Sequence, residues 1–231
     1  MTPDAPDPAA LAETALFRGV QPEELSRLAD LLREKSFPAA TRVIAAEEPG
    51  EAVYVILKGS VKVNTIRPDG TEVIVAVLGP GEVVGEMILA DNLGRSADVV
   101  TLEETTFLWM DRTTFRSGVA DSPVLARNLA GILSRRLRLT NANLLSLAAL
   151  DVPGRVASQI LALAREYGEE KPEGLRIPMR LTQSDLAGLV GASRVRVNQT
   201  LGYLRKRNAI SIGTDGRITV LDEEALSRRT R

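Results

Sequence analysis

Two residue types are missing from this 231-residue chain, which contains no cysteine and no histidine. Without cysteine there is no disulfide, no thiolate nucleophile and no cysteine ligand for an iron–sulfur cluster. Without histidine the chain lacks the commonest general base and the usual ligand of zinc and haem. The sequence also carries no Walker A loop, nucleophile elbow or metal-ligand cluster. These absences favour a protein that is not an enzyme and holds no metal.

Long apolar runs are also absent. No stretch approaches the ~18 apolar residues that a membrane span needs, and the Asp- and Pro-rich start at Met1–Pro8 does not resemble a secretory signal. We therefore expect a cytoplasmic protein. Residues 1–151 carry 15 Lys and Arg against 21 Asp and Glu, whereas residues 152–231 carry 14 against 9. The last third of the chain is therefore basic and the rest is acidic, which suggests that the last third is a module that binds a polyanion.

Hydrophobic spacing changes along the first half of the chain. Residues 9–34 have the spacing of helices, and short β-rich runs separated by turns, such as Arg67-Pro-Asp-Gly70, follow between Phe37 and Met110. Several strands with short connections and no intervening helix indicate a sandwich or barrel. The predicted strands are Arg42–Ala45, Glu51–Lys58, Ser60–Ile66, Glu72–Leu78, Ala97–Leu102 and Thr105–Met110.

A long helix is predicted from Asp121 to Leu150. Its apolar residues recur at spacings of three and four, as in the seam of a coiled-coil dimer. A helix packed on its own domain is the alternative, but polar residues on the other faces favour the seam. Asp151 then caps a new helix, and we place the hinge between domains there. The residues of the predicted dimer seam are Leu133, Leu137, Leu144 and Leu147, in register with Ala130 and Thr140.

The segment Thr182–Gly202 has the form of a helix-turn-helix. Thr182 and Asp185 make a start like a capping box, Gly191 lies at the turn, and Ser193 can cap the second helix. Side chains near the start of the second helix can read base edges in a major groove, and basic residues near its end suit phosphates. The alternative is a surface helix with solvated polar residues. The candidates are Arg194, Arg196, Asn198 and Gln199 for bases, and Arg205, Lys206 and Arg207 for phosphates.

A closing hairpin is predicted around Asp215-Gly216, and residues 168–174 are predicted to form a polar loop.

A second motif starts at Gly85-Glu86-Met87 and ends at Arg95-Ser96. A short helix after Gly85 can point free N–H groups at a phosphate, and Arg95 supplies a charge with a fork of donors. Ser96 adds a hydroxyl, and Glu86 can accept from a ribose 2′-hydroxyl. The alternative is a loop in which Glu86 and Arg95 pair with each other. The pattern resembles the phosphate cassette of cyclic-nucleotide-binding domains.

Taken together, residues 16–221 resemble the family of bacterial regulators that contains the cAMP receptor protein and the fumarate and nitrate regulators. The matching segments are the cassette, Arg136–Asn141, Leu147–Arg155 and Leu181–Arg194. The resemblance implies an α+β fold. It has a cyclic-nucleotide-binding jelly-roll β-barrel at residues 1–120, a dimerisation helix at 121–150 and a winged helix-turn-helix at 151–231. It also implies a homodimer that binds double-stranded DNA at a pseudo-palindromic site, contacts RNA polymerase and responds to cAMP as its allosteric ligand.

Carried over residue by residue, the resemblance gives two sets of site residues. Thr140 would meet the adenine amino group, and Asn141 stands where the receptor has a small hydroxyl residue that reaches the ligand of the other subunit. Val195 and Gln199 depart from the family's recognition helix, so the DNA half-site should be altered. Ribose and phosphate would contact Gly85, Glu86, Met87, Arg95 and Ser96, and DNA would contact Thr182, Ser193, Arg194, Arg196, Asn198, Gln199 and Arg205.

Two other functions remain open at this point. One is a regulator of the same fold that is ligand-independent or senses a different small molecule. The other is a cyclic-nucleotide-binding subunit of a kinase or channel, which the helix-turn-helix disfavours. As the ligand, cGMP is an alternative to cAMP, and activation and repression of transcription are both open.

Overall fold

The computed structural model describes residues 6–89 and 94–230. Contacts divide the chain into two units. The first contains residues up to Thr65 together with Val77–Leu137, and the second contains Ile66–Ala76 and the residues from Arg138 onward. The middle of the predicted cassette, residues 90–93, lies outside the described residues.

Two short helices open the first unit, α1 (Pro8–Glu13) and α2 (Pro22–Leu31). The acids Glu23 and Glu24 in the first turn of α2 suit the positive end of the helix dipole. The prediction that helix continues to residue 34 is wrong, because strand β1 (Arg33–Phe37) begins there. This segment is extended because it pairs along its whole length with a strand some 70 residues later.

In the described part of the first 121 residues, eight strands form two four-stranded sheets in the order β1-β8-β3-β6 and β2-β7-β4-β5. The predicted jelly-roll is confirmed, with two sheets that do not close into one continuous barrel, and neighbouring strands pair antiparallel. The six predicted strands are all present, whereas β1 and β6 were not predicted. The strands after β1 are β2 (Arg42–Ile44), β3 (Ala52–Lys58), β4 (Val61–Ile66), β5 (Glu72–Leu78), β6 (Val83–Val84), β7 (Asp98–Thr101) and β8 (Thr105–Asp111).

Two more helices complete this part of the chain, α3 (Arg112–Asp121) and α4 (Pro123–Ala149). The long helix is confirmed within two residues of its predicted ends, whereas α3 was not predicted. Asp111 caps α3 by accepting from the N–H of Thr114 at 2.8 Å. One face of the first sheet and these helices enclose the core of the unit, which contains Leu11, Phe17, Leu25, Val53, Val55, Leu108, Phe115, Leu125, Leu129 and Ile132.

The second unit is a winged helix-turn-helix. Its sheet has the order β11-β12-β10-β9. The predicted loop at 168–174 is wrong, because it folds into the hairpin of β9 and β10, and Leu175 of β10 pairs with Val220 of β12. The elements are α5 (Val152–Tyr167), β9 (Glu169–Lys171), β10 (Gly174–Arg176), α6 (Gln183–Val190), α7 (Arg194–Lys206), β11 (Ile210–Ile212), β12 (Ile218–Val220) and α8 (Glu223–Ser227).

The core of the second unit joins its helices to its sheet. Fully buried side chains come from α5, α6 and α7 and from the strand β11. The closing hairpin of β11 and β12 around Asp215-Gly216 is confirmed, with Ser211 opposite Thr219. The largest fully buried side chains of the unit are Ile160, Leu186 and Ile210, together with Ile177 and Met179 from the segment between β10 and α6.

Candidate functional site

Gly85 and Arg95 are packed against each other in the first unit. The Arg95 guanidinium donates from Nη1 to the carbonyl of Gly85 at 3.1 Å and from Nη2 to the carbonyl of Ala52 at 2.6 Å. Gly85 has φ +84°, and a Cβ there would lie 2.6 Å from Arg95 Nη1 and 2.8 Å from the Ala52 carbonyl. Only glycine fits this backbone and this close approach. The cassette therefore begins at a point where the arginine side chain and the main chain are fixed together.

The backbone around Arg95 is also anchored. Its N–H donates to the carbonyl of Glu48 at 3.1 Å, and its carbonyl accepts from the N–H of Glu47 at 2.8 Å. Burial lowers the pKa of the Arg95 guanidinium, and the nearby Tyr54 and Glu86 oppose this shift. Burial also raises the pKa of the Tyr54 phenol. Because an arginine stays charged in proteins, this site presents a half-buried, permanently cationic fork.

Glu86 follows Gly85 at the start of a 3-10 helix, Glu86–Leu89. Its carboxylate is 8% exposed, and its Oε1 accepts from Arg136 Nη1 at 2.8 Å. The alternative in which Glu86 pairs with Arg95 is therefore not observed, since Arg95 bonds to carbonyls and Glu86 to a guanidinium from α4. Sequence analysis named Arg136 as the start of a segment that resembles the family and assigned it no part in the site. Because the two partners are 50 positions apart in the sequence, no local pattern predicts that they pair.

Ser96 and Met87 approach each other across the cassette. The Ser96 hydroxyl donates to the Met87 sulfur at 3.4 Å, and both side chains are exposed. The structure thus brings five predicted residues, at 85–87 and 95–96, into one part of the first unit. Thr140 and Asn141 are exposed on α4, one turn after Arg136. Their predicted contacts with the base remain predictions.

The predicted seam forms an exposed apolar stripe on α4. Leu137 is 61% exposed and Leu144 is 65% exposed, and Leu133 and Leu147 are also exposed. The alternative of a helix packed on its own domain holds only for the first half of α4, where Leu125, Leu129 and Ile132 are buried. Exposed leucines at coiled-coil spacing are unfavourable in water, and the predicted dimer seam along this stripe remains a prediction.

The helix-turn-helix has the local bonds that its sequence predicts. The Thr182 hydroxyl accepts from the N–H of Asp185 at 3.1 Å, and Asp185 accepts in return from the N–H of Thr182 at 3.0 Å. Gly191 ends α6 in the left-handed region with φ 58°, and the Ser193 hydroxyl caps α7 by accepting from the N–H of Arg196. The capping box and the turn fix where α7 begins. Asp151 likewise caps α5, accepting from the N–H of Gly154 at 2.8 Å, so a cap lies at the predicted hinge.

The start of α7 presents the residues that the sequence singled out. Arg194, Arg196 and Gln199 are exposed. Asn198 is exposed too, but its Oδ1 accepts from Gln183 Nε2 at 3.0 Å, so its amide is oriented by α6. Thr182 and Ser193 serve as helix caps as well as being predicted DNA contacts, and Arg205 is exposed near the end of α7. Because their side chains are exposed, these residues can reach a groove or a phosphate.

The chain matches two family models. Residues 34–122 match the model of the cyclic nucleotide-binding domain, and residues 154–229 match that of the Crp-like helix-turn-helix domain. Among the described residues, no helix combines the length and apolarity needed to cross a membrane.

Curated relatives match over nearly the whole chain. A CRP-like cAMP-activated global transcriptional regulator of Mycobacterium tuberculosis is 39% identical over 222 residues, which is 96% of this chain and 98% of the relative. The cyclic AMP receptor protein of Thermus thermophilus is 32% identical over 198 residues, or 86% and 88%. The solved structure of FixK2 from Bradyrhizobium japonicum has a TM-score of 0.76 at 20% identity and covers 87% of this chain and 98% of that one.

Fold and site together define a transcription regulator in which a cyclic-nucleotide-binding domain precedes a DNA-binding helix-turn-helix. The chain belongs to the CRP/FNR family. Members of this family are transcription regulators and not enzymes.

Proposed function

We propose that this regulator binds cAMP in its N-terminal domain and, as a homodimer, couples that binding to recognition of DNA. The proposal is carried by the cradle that Gly85 and Arg95 form, in which the Arg95 guanidinium donates to the Gly85 carbonyl and Glu86 follows directly in the chain. A cyclic nucleotide carries one negative phosphodiester and, next to it, a ribose 2′-hydroxyl. The cationic fork of Arg95 suits the phosphodiester, and the Glu86 carboxylate can accept a hydrogen bond from the hydroxyl.

The candidates for contact with the base are Thr140 and Asn141 on α4. Two relatives are named for their response to cAMP or for binding it. In this chain, Thr140 would accept from or donate to the base, and Asn141 offers both a donor and an acceptor for adenine. We therefore propose cAMP over cGMP, with no other cofactor.

The homodimer proposal rests on the exposed stripe of α4. A parallel two-fold pairing would bury Leu133, Leu137, Leu144 and Leu147 against the same residues of a second copy. Two recognition helices would then face two half-sites about 34 Å apart on a pseudo-palindromic double-stranded DNA. RNA polymerase is the expected further partner, and the cytoplasm is the expected location.

The ligand shifts the population of two states only through a difference in its affinity for them. Contacts to the cassette and to Thr140 or Asn141 at once would supply that difference. The change would pass along α4 to the capped start of α5 at Asp151.

The test is a calorimetric titration of the purified full-length protein with cAMP and with cGMP. We expect saturable binding of cAMP at one site per chain and weaker binding of cGMP. Arg95→Gln removes the charge and the two Nη donors while keeping a polar side chain, and we expect it to lose roughly 10-fold or more in affinity, because a charge-assisted contact contributes about 1.5–3 kcal/mol.

Arg27→Gln is the matched control, since Arg27 is exposed on α2 and donates to the Glu23 carbonyl of the same helix at 3.3 Å, and it should bind like the wild type. Saturable cGMP binding in preference to cAMP would overturn the base assignment. Absence of binding by either nucleotide would favour a ligand-independent regulator, or one with another ligand.

A further inference from the structure

A buried carboxylate outside the predicted cassette residues connects the cassette to the dimerisation helix. Glu82 lies in the turn before β6 and is 3% exposed. Its Oε1 accepts from Arg135 Nη2 at 2.5 Å, and its Oε2 accepts from Arg136 Nη2 at 2.7 Å. Both oxygens are thus bonded to guanidinium groups. A carboxylate is buried in this way only when it is paired, so Glu82 and the two arginines form one unit.

Arg136 is shared between two carboxylates. Its Nη2 donates to Glu82 and to the carbonyl of Val83 at 2.6 Å, while its Nη1 donates to Glu86 Oε1 at 2.8 Å. A guanidinium is planar and its donors have fixed directions. Contacts on both Nη atoms therefore fix the plane of the group, and with it the direction from which Glu86 is held.

We propose that Glu82 is a positioning residue for nucleotide recognition, because it holds Arg136 so that Glu86 offers its second oxygen to the ribose 2′-hydroxyl. This inference rests on the proposed function of the cassette. Arg136 occupies Oε1 of Glu86, so the orientation of the carboxylate decides where Oε2 points. Without Glu82, Nη2 of Arg136 would lose its carboxylate partner, and the long side chain would regain rotamers. Glu86 would then lose its fixed orientation although it is not itself changed.

Glu82 also holds α4 through Arg135. Arg135 and Arg136 are consecutive residues, so their side chains leave the helix about 100° apart. Glu82 holds both, which fixes the rotation of α4 at this level. The same carboxylate therefore holds the ribose acceptor, through Arg136, and also holds α4 at the level of Arg135 and Arg136.

The test compares the affinities of cAMP and 2′-deoxy-cAMP, measured by calorimetry on the full-length protein. We expect the wild type to prefer cAMP roughly 10- to 100-fold, the range of a hydrogen bond to a charged group. Glu86→Gln defines the preference that remains when the acceptor is weakened. Glu82→Gln should reduce the preference to about the same level, and the double variant should reduce it no further, because residues that act as one unit are non-additive.

The ratio of the two affinities separates positioning from a purely structural role. A structural defect would weaken both nucleotides equally and leave the ratio unchanged, and that result would overturn the inference. Glu103→Gln is the control, because Glu103 also accepts a side-chain hydrogen bond in this unit, from Ser60 at 2.7 Å, and it should keep the wild-type ratio.

A second variant covers the case in which Glu82→Gln does not fold. Glu82→Asp keeps the charge but is shorter by one methylene, so it cannot reach both guanidiniums, and the preference should fall partway. An unchanged ratio in this variant would also contradict the inference. Failure of the wild type to bind cAMP would instead refute the proposed ligand, and the inference with it.

Discussion

Truncation of one seam leucine should weaken the dimer by a calculable amount. Leu137 is 61% exposed in the single chain. Complete burial of a leucine contributes about 1.5–3 kcal/mol, so burying this exposed fraction contributes roughly 1–2 kcal/mol per copy. The two-fold axis doubles the effect, and Leu137→Ala should cost roughly 2–4 kcal/mol, or about 30- to 1000-fold in the dimer dissociation constant.

Sedimentation velocity over a concentration series measures this constant directly. Leu145→Ala is the matched control, because Leu145 is as exposed as Leu137, at 69%, but lies about 120° around the helix from the centre of the seam. It should leave the dissociation constant unchanged. The reasoning is refuted if Leu137→Ala dimerises like the wild type, or if Leu145→Ala weakens the dimer equally.

Three further predictions concern single positions. Gly85→Ala forces φ +84° on a residue with a Cβ beside Arg95. It should cost about 1–3 kcal/mol of local strain and abolish tight cAMP binding by calorimetry, while circular dichroism stays native; retained affinity would contradict the cradle. Thr182→Ala removes the capping box and should lower the free energy of unfolding by about 1 kcal/mol in urea titrations, whereas Thr182→Ser, which keeps the hydroxyl, should not. The N–H of Thr114 donates to Asp111 and lowers the pKa of that carboxyl. Its stabilising contribution is therefore present above the unfolded-state pKa of about 3.9 and is lost as the pH falls through the lower folded value. The stability difference between wild type and Asp111→Asn should thus be largest near neutral pH and shrink in acid, and a difference independent of pH would contradict this origin.

The helix-turn-helix could be predicted because its signals are local. Thr182 with Asp185, Gly191 and Ser193 each act through bonds within three or four residues, and these bonds appear in the structure as expected. The long helix could be predicted for the same reason, since its leucines repeat with a regular period over 27 residues. Local chemistry sets where these helices begin and end.

The parts that escaped prediction depend on partners distant in sequence. The sequence pattern predicts a helix at the start of β1, and only the pairing with β8 makes this segment a strand. β6 has only two residues, too few for a pattern to predict it. The polar segment at 168–174 becomes a hairpin because β10 adds to β12, across more than 40 residues. Tertiary pairing overrode the local pattern in each case.

The residues of the candidate site likewise fall into two groups, those that a local motif identifies and those that depend on partners distant in sequence. The cassette residues could be named from a motif, because glycine, glutamate and arginine at that spacing suit a phosphate and a ribose. The pairing of Glu86 with Arg136, and of Glu82 with Arg135 and Arg136, joins residues at least 50 positions apart. Motif reasoning predicted the residues that would touch the ligand, and it had no means to predict the residues that hold them.

The central claim is that cAMP binding controls DNA binding, and fluorescence anisotropy on a pseudo-palindromic duplex tests it most directly. We predict that saturating cAMP tightens specific DNA binding of the wild type by about 5- to 150-fold, the usual range of allosteric coupling. Arg95→Gln should bind the duplex equally well with and without cAMP. Specific DNA binding by the wild type that is unchanged at saturating cAMP would contradict the account.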